Sequence, residues 1–126
     1  MTPKTILIAD DEPQLSYMLG EMLLNTLPND IALSVETATD GLKAFEYMQV
    51  NCIDLLITDI QMPNMNGLEL INSVKTLSNN MPIIAISANQ ELLQKAATEG
   101  ATKIFLKPID LKIFVKYIWD SFSTHN

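Results

Sequence analysis

Five short apolar runs alternate along this chain with segments whose apolar residues recur at helical spacing. The runs cover residues 5–9, 31–38, 55–57, 82–86 and 104–106. Helical patterns are expected from 13 to about 27, over 42–50, around 68–74, over 92–99 and from 111 to 122. Strands that alternate with helices form right-handed parallel crossovers, and such a sheet carries helices on both faces. The pattern therefore predicts an α/β fold with a doubly wound, five-stranded parallel sheet and five helices.

Capping residues and helix breakers mark several of the predicted boundaries. Residues 28–30, Pro-Asn-Asp, end the first helix. Thr39 or Asp40 can cap the second helix, and Asp110 can cap the last one. Gly100 is expected to stop the fourth helix.

Composition limits the classes of protein to which the chain can belong. With 126 residues it is long enough for one domain with its own core, which we place at residues 3–122, followed by a polar tail at 123–126. Its apolar runs are too short to cross a bilayer, and its beginning has no signal-peptide pattern. With Cys52 as the only cysteine, no intrachain disulfide can form, which fits a cytoplasmic location. Its place at the edge of the strand region suggests packing rather than reactivity. A net charge of -7, with eight lysines and no arginine, argues against direct nucleic-acid binding.

Charged and hydroxyl side chains follow four of the five predicted strands. Asp10 and Asp11 follow the first strand, Asp59 the third, Ser87 the fourth and Lys107 the fifth. In a parallel sheet these ends share one edge, which is where ligands bind in open α/β folds. Clustered carboxylates repel one another unless one is protonated or a divalent cation holds them, and oxygen ligands without nearby histidine or cysteine favour Mg²⁺. A lysine beside such a centre suits phosphoryl transfer, for which an aspartate is a known covalent nucleophile.

Simpler interpretations of these residues remain open at this point. Asp59 could only cap a turn, Asp10 and Asp11 could only cap the first helix, and Lys107 could be a solvated surface charge. A flavin mononucleotide carrier shares this type of fold, although the acids after the first strand argue against its phosphate loop. An aspartate-nucleophile phosphatase would need a second aspartate where Gln61 stands.

Four short motifs, in order along the chain, resemble the receiver domain of two-component response regulators. They are the acid pair Asp10-Asp11, the Asp-x-x-Met-Pro-x-x-x-Gly pattern from Asp59, the Ser87-Ala88 pair, and Lys-Pro at 107–108. The resemblance runs nearly end to end and implies a flavodoxin-like, CheY-like sheet in the order 2-1-3-4-5. It also implies a phosphorelay function, with a phosphoryl group accepted from a phosphohistidine in a reaction that the domain itself catalyses. A receiver-like adaptor that binds partners without phosphorylation is the alternative.

The resemblance assigns a role to each site residue. It makes Asp59 the phosphoacceptor and a metal ligand, Asp11 a direct ligand of Mg²⁺, and Asp10 a carboxylate that holds a metal-bound water. Gln61 would offer its backbone carbonyl to the metal, for which Mn²⁺ may substitute. Lys107 would bind the phosphoryl group and precede a cis peptide bond.

The same resemblance implies how the signal leaves the site and which proteins take part. Ser87 would be the switch hydroxyl and Ala88 would offer the backbone N–H beside it. Ile104 occupies the position where many relatives have the aromatic residue of the switch, and Phe105 should face the opposite side of its strand. The expected partners are a sensor histidine kinase or histidine phosphotransfer domain, and a downstream protein effector or detached output domain.

The last helix is expected to offer a contact surface for such a partner. Its apolar stripe should face the core and consists of Leu111, Phe114, Val115, Ile118 and Phe122. Ile113 and Tyr117 then point outward, on a face shared with the fourth helix and fifth strand.

Overall fold

The computed structural model describes residues 3–26, 32–78 and 80–123. The strands are β1 (Lys4–Ala9), β2 (Leu33–Ala38), β3 (Leu55–Asp59), β4 (Ile83–Ser87) and β5 (Lys103–Leu106). The helices are α1 (Pro13–Thr26), α2 (Gly41–Val50), α3 (Gly67–Leu77), α4 (Gln90–Glu99) and α5 (Leu111–Ser123). The predicted alternation of strands and helices is confirmed. The expected helix end at 28–30, the strand start at Ile31 and the tail residues 124–126 lie outside the described residues.

The five strands form one parallel sheet in the order β2-β1-β3-β4-β5. Ala9 is in register with Thr58, and Ser87 is in register with Leu106. The carboxyl ends of the strands are therefore level along one edge of the sheet. The order reverses between β1 and β3, and this switch point is the place where open α/β sheets bind ligands.

The sheet separates two apolar cores, as a doubly wound fold requires. Leu7, Leu56 and Ala85 pack on one face with residues of α2, α3 and α4. On the other face Ile8 and Ile57 pack with residues of α1 and α5. Because β1, β3 and β4 are covered on both faces, they consist of nearly continuous apolar residues.

The expected stripe on α5 needs two corrections. Phe114, Ile118 and Phe122 are buried, but Leu111 is 40% exposed because it lies in the first turn and lines an open groove. Tyr117 does not point outward: its ring lies 6.2 Å from that of Phe105, centroid to centroid, and is partly buried. The large Phe105 side chain on the edge strand extends the apolar surface as far as Tyr117.

Several smaller expectations can be compared with the structure. Asp40 caps α2, Asp110 accepts hydrogen bonds from the first turn of α5, and Gly100 ends α4 with φ at 126°. Cys52 is exposed, so its expected packing is wrong. Its place in the irregular segment after α2 leaves its thiol outside both cores. Among the described residues, none of the helices is long and apolar enough to cross a membrane.

Candidate metal and phosphoryl site

The carboxyl edge of the sheet brings acidic side chains from two neighbouring strands together. One carboxylate oxygen from each of Asp10, Asp11, Glu12 and Asp59 lies within 4.8 Å of the others. Glu12 was not among the predicted ligands, although its place directly after the acid pair was a signal for it. This donor set consists of hard oxygen atoms, which fits Mg²⁺ or Mn²⁺.

Asp10 is held inside the edge of the sheet by the turn that starts α1. Its backbone N–H donates to Ala38 at 3.0 Å, and its Oδ1 accepts from the N–H of Glu12 at 2.8 Å. Burial raises the pKa of Asp10 to about 6, and the negative charges of Asp59 and Glu12 add to this effect. The Glu12 N–H and the Lys107 ammonium oppose the rise but do not cancel it. A divalent cation would relieve the repulsion among these carboxylates and favour the charged form of Asp10.

Asp59 is the last residue of β3, and its carboxylate has a different partner for each oxygen. Lys107 Nζ lies 3.1 Å from Oδ2, and the backbone N–H of Gln61 lies 3.3 Å from Oδ1. The residue is only 6% exposed. The carboxylate is thus fixed between an ammonium group and the acidic cluster, which suits a nucleophile that receives an anionic group.

Gly67 allows α3 to begin directly against the backbone of Asp59. Its N–H donates to the Ile60 carbonyl at 2.7 Å. A Cβ atom at this position would lie 2.4 Å from the Asp59 carbonyl oxygen. The glycine of the Asp-x-x-Met-Pro-x-x-x-Gly pattern is therefore required by close packing beside the site.

Lys107 reaches the site from the end of β5. Its N–H donates to the Ser87 carbonyl at 2.9 Å, and the bond to Pro108 is cis, as predicted. Burial works against the charged ammonium, yet the hydrogen bond and negative charge of Asp59, with Asp10 and Glu12, leave the pKa of Lys107 raised. The side chain is 24% exposed. It is a permanent cation beside Asp59, and not a freely solvated surface charge.

Ser87 ends β4 as a buried hydroxyl. Its Oγ accepts a hydrogen bond from the Asn89 N–H at 3.0 Å, which leaves the hydroxyl hydrogen available to donate. Ala88 follows it and is exposed at the start of the loop that leads to α4. The fold therefore brings Ser87 and Ala88 to the same edge of the sheet as Asp59 and Lys107.

Ile104 lies on β5 and packs against the core that contains α2, α3 and α4. Phe105 faces the opposite core, as the alternation of side chains along a strand predicts. The ring of Phe105 contacts Phe114 and Tyr117, so it is held away from the Ile104 side.

Comparison with known proteins agrees with this geometry. The family model described as the response regulator receiver domain matches residues 6–118. The chain is 33% identical over 116 residues to the sensor protein EvgS of Escherichia coli K12, covering 90% of this chain and 9% of that protein. It is also 33% identical over 120 residues to the transcriptional regulator NtrC of Azospirillum brasilense, covering 94% of this chain and 24% of NtrC. The chain thus spans a quarter or less of the length of these relatives.

Solved structures of the same architecture also match. The chemotaxis response regulator CheY4 of Vibrio cholerae superposes with a TM-score of 0.80 at 27% identity, covering 95% of this chain and 99% of that one. The response regulator TrrA of Thermotoga maritima, solved in complex with Mg²⁺ and BeF, superposes with a TM-score of 0.82 at 24% identity. That comparison covers 94% of this chain and 98% of TrrA, and it supports the CheY-like fold.

Proposed function

Since this chain belongs to the response regulator receiver domain family, we propose that it accepts a phosphoryl group on Asp59 and changes its contacts with other proteins in response. A receiver domain is a regulatory domain. The observation that carries the proposal is the position of Asp59, whose carboxylate lies 3.1 Å from Lys107 Nζ and adjoins three further carboxylates.

Residues of the acidic cluster would hold the metal. Asp11 and Asp59 would offer carboxylate oxygens, Gln61 its backbone carbonyl, and Asp10 would hold a metal-bound water. The solved complex of TrrA with Mg²⁺ and BeF supports such a site in this fold. When bound, Mg²⁺ would neutralise the negative charge on the phosphoryl oxygens. Without it, the acids would repel an incoming phosphoryl group.

The chain's own residues would carry out the transfer. A carboxylate oxygen of Asp59 bonds to phosphorus while the bond from phosphorus to the donor histidine nitrogen breaks, and the imidazole keeps that electron pair. Lys107 stabilises the charge on the transferred oxygens. Ser87 donates its hydroxyl hydrogen, and Ala88 its backbone N–H, to a phosphoryl oxygen once the group is in place.

The donor would be a sensor histidine kinase or a histidine phosphotransfer domain, and we place the reaction in the cytoplasm. Relatives of this chain include sensor proteins as well as a transcriptional regulator, which supports a phosphorelay partner. The signal would leave through the surface formed by α4, β5 and α5, where Leu106 and Ile113 are 48% and 57% exposed. Exposed apolar residues on this surface favour a protein contact.

Intact-mass measurement after incubation with acetyl phosphate tests the proposal. The wild type should gain one phosphoryl group in the presence of Mg²⁺ or Mn²⁺, and none in excess chelator. The variant Asp59→Asn should gain none under either condition. An adduct on that variant would mean that another residue is the acceptor, and an unmodified wild type would support the adaptor function instead.

A further inference from the structure

Asp40 is a buried carboxylate outside the metal and phosphoryl site, and it has two partners. It is 5% exposed. Its Oδ1 accepts from the Lys43 N–H at 2.8 Å, which caps α2. Its Oδ2 accepts from Asn64 Nδ2, also at 2.8 Å, across 24 residues of sequence. The first bond is enough to cap α2. The second bond is not part of the cap, and it connects α2 to the loop between β3 and α3.

A backbone contact lies beside this side-chain bond. The N–H of Gly41 donates to the carbonyl of Met65 at 3.1 Å. A Cβ atom at Gly41 would lie 2.2 Å from that carbonyl oxygen, so only glycine permits the approach. The first turn of α2 therefore holds two consecutive residues of the loop.

Asn64 adopts an uncommon backbone conformation at this contact. Its φ is 66°, and among the described residues it is the only one other than glycine with a positive φ. The left-handed region is costly for most side chains, and asparagine is among those that tolerate it. The bond to Asp40 helps to stabilise this turn of the loop.

The loop held in this way contains Gln61. At its start the Gln61 N–H lies 3.3 Å from Asp59 Oδ1, and at its end Gly67 bonds to Ile60. Between these points the described hydrogen bonds that join residues 62–65 to another element are those made by the start of α2, and the side chains of Met62 and Met65 also pack against the apolar core. The direction of the Gln61 carbonyl thus depends on both ends of the loop.

We propose that Asp40 and Asn64 form a latch that positions the backbone carbonyl of Gln61 for metal binding. The inference rests on the proposed function, because it assigns this carbonyl to the metal. Asp40 is a positioning residue here and touches neither the metal nor the phosphoryl group. Groups that orient the ligands of a metal commonly contribute about 10-fold to 100-fold to its affinity.

The charge of Asp40 strengthens this latch. The hydrogen bonds from Lys43 and Asn64 lower the pKa of Asp40, so its carboxylate is ionised at neutral pH. A hydrogen bond to an ionised acceptor is stronger than one between neutral groups. With asparagine at position 40 and aspartate at position 64, one donor would still face one acceptor. Such a double variant should therefore restore the Mg²⁺ affinity that a single substitution at position 64 loses.

The test uses Asn64→Asp, which sets one carboxylate against another and should open the latch. Asn66→Asp is the matched control, since it adds the same charge two residues away at the cap of α3, where aspartate caps as well as asparagine. The double variant Asp40→Asn with Asn64→Asp restores a donor opposite an acceptor. Asn64→Gly removes the amide but keeps a positive φ accessible, and it serves if Asn64→Asp does not fold.

Two measurements are made on the full chain: the Mg²⁺ dissociation constant by calorimetry, and hydrogen exchange of the backbone amides of residues 60–62 and 64–66 without metal. Asn64→Asp should weaken Mg²⁺ binding by about 10-fold or more and speed exchange in the loop. Asn64→Gly should act in the same direction by about 3-fold to 10-fold, and the double variant should return to within about 3-fold of the wild type.

Three results overturn the latch while leaving the proposed function intact. In the first, Asn64→Asp binds Mg²⁺ as tightly as the control Asn66→Asp. In the second, the double variant binds Mg²⁺ no more tightly than Asn64→Asp. In the third, Asn64→Gly binds Mg²⁺ as tightly as the wild type. Failure of the wild type itself to bind Mg²⁺ overturns the proposed function, and the latch with it.

Discussion

Replacing Asp10 with asparagine should stabilise the metal-free protein while weakening its binding of Mg²⁺. The carboxylate is 4% exposed and has a pKa of about 6, mainly because of burial and also because of the charges of Asp59 and Glu12. Asparagine keeps the Oδ1 atom that accepts from the Glu12 N–H at 2.8 Å, so the turn before α1 is retained. The substitution therefore removes mainly an unfavourable charge.

The size of the effect follows from the shift of the pKa from 3.8 to about 6. The full shift would correspond to about 3 kcal/mol at neutral pH, and water at this edge of the sheet screens part of it, which leaves about 1 to 2 kcal/mol. Between pH 4 and 6 the folded wild type keeps a proton that the unfolded chain has released. The contribution of Asp10 to the stability of the folded state therefore falls as pH rises through this interval, whereas the variant has no such group at position 10.

Thermal unfolding without metal at pH 7.5 and at pH 4 measures this difference. Asp10→Asn should melt roughly 4 to 8 °C above the wild type at pH 7.5, and the gap should become much smaller at pH 4. Saturating Mg²⁺ should raise the melting temperature of the wild type more than that of the variant. The exposed Asp11 is the comparison: Asp11→Asn should lose more Mg²⁺ affinity than Asp10→Asn. Equal melting at pH 7.5, or a gap of undiminished size at pH 4, would refute the argument from charge.

Four further variants test other parts of the molecule. Lys107→Ala removes the cation beside Asp59 and should slow phosphorylation by acetyl phosphate about 100-fold or more. Ser87→Ala should keep phosphorylation and lose the response of the partner. Equal phosphorylation rates in these two variants would contradict the separate roles assigned to Lys107 and Ser87. Ile113→Asp should leave phosphorylation within about 3-fold of the wild type and abolish binding of a downstream partner in titrations, and undiminished binding would place the output surface elsewhere. Gly67→Ala forces a Cβ atom to within 2.4 Å of the Asp59 carbonyl oxygen and should cost about 2 kcal/mol or more in denaturant unfolding, so unchanged stability would contradict the close packing.

The architecture could be predicted because each step depended on local pattern. Apolar runs at strand length and proline, glycine or aspartate at the element ends were enough to place Asp59 and Lys107 on one edge of the sheet. Parallel pairing brings the ends of β3 and β5 to the same edge on either side of β4, and the long Lys107 side chain then reaches Asp59 at 3.1 Å. The motif resemblance added the cis bond before Pro108.

Other features depended on contacts between segments far apart in the sequence. Nothing near Asp40 indicates that its second oxygen bonds to Asn64, because that bond requires the first turn of α2 to lie against the β3–α3 loop. Tyr117 was predicted to point outward because it lies opposite the apolar stripe of α5. Helical geometry gives only the angle of a side chain around the helix axis. How far the apolar surface extends at that angle depends on the Phe105 ring on another element.

The ion pair between Lys107 and Asp59 also affects how the chain's amines react with acylating reagents. Such reagents attack the unprotonated amine, and the raised pKa of Lys107 leaves less of that form than at an ordinary lysine. With eight lysines and no arginine, every cationic side chain of the chain is an amine that can be labelled. Lys107 should therefore label slowly beside its exposed neighbours such as Lys112, and its labelling rate offers a chemical readout of what occupies the Asp59 carboxylate.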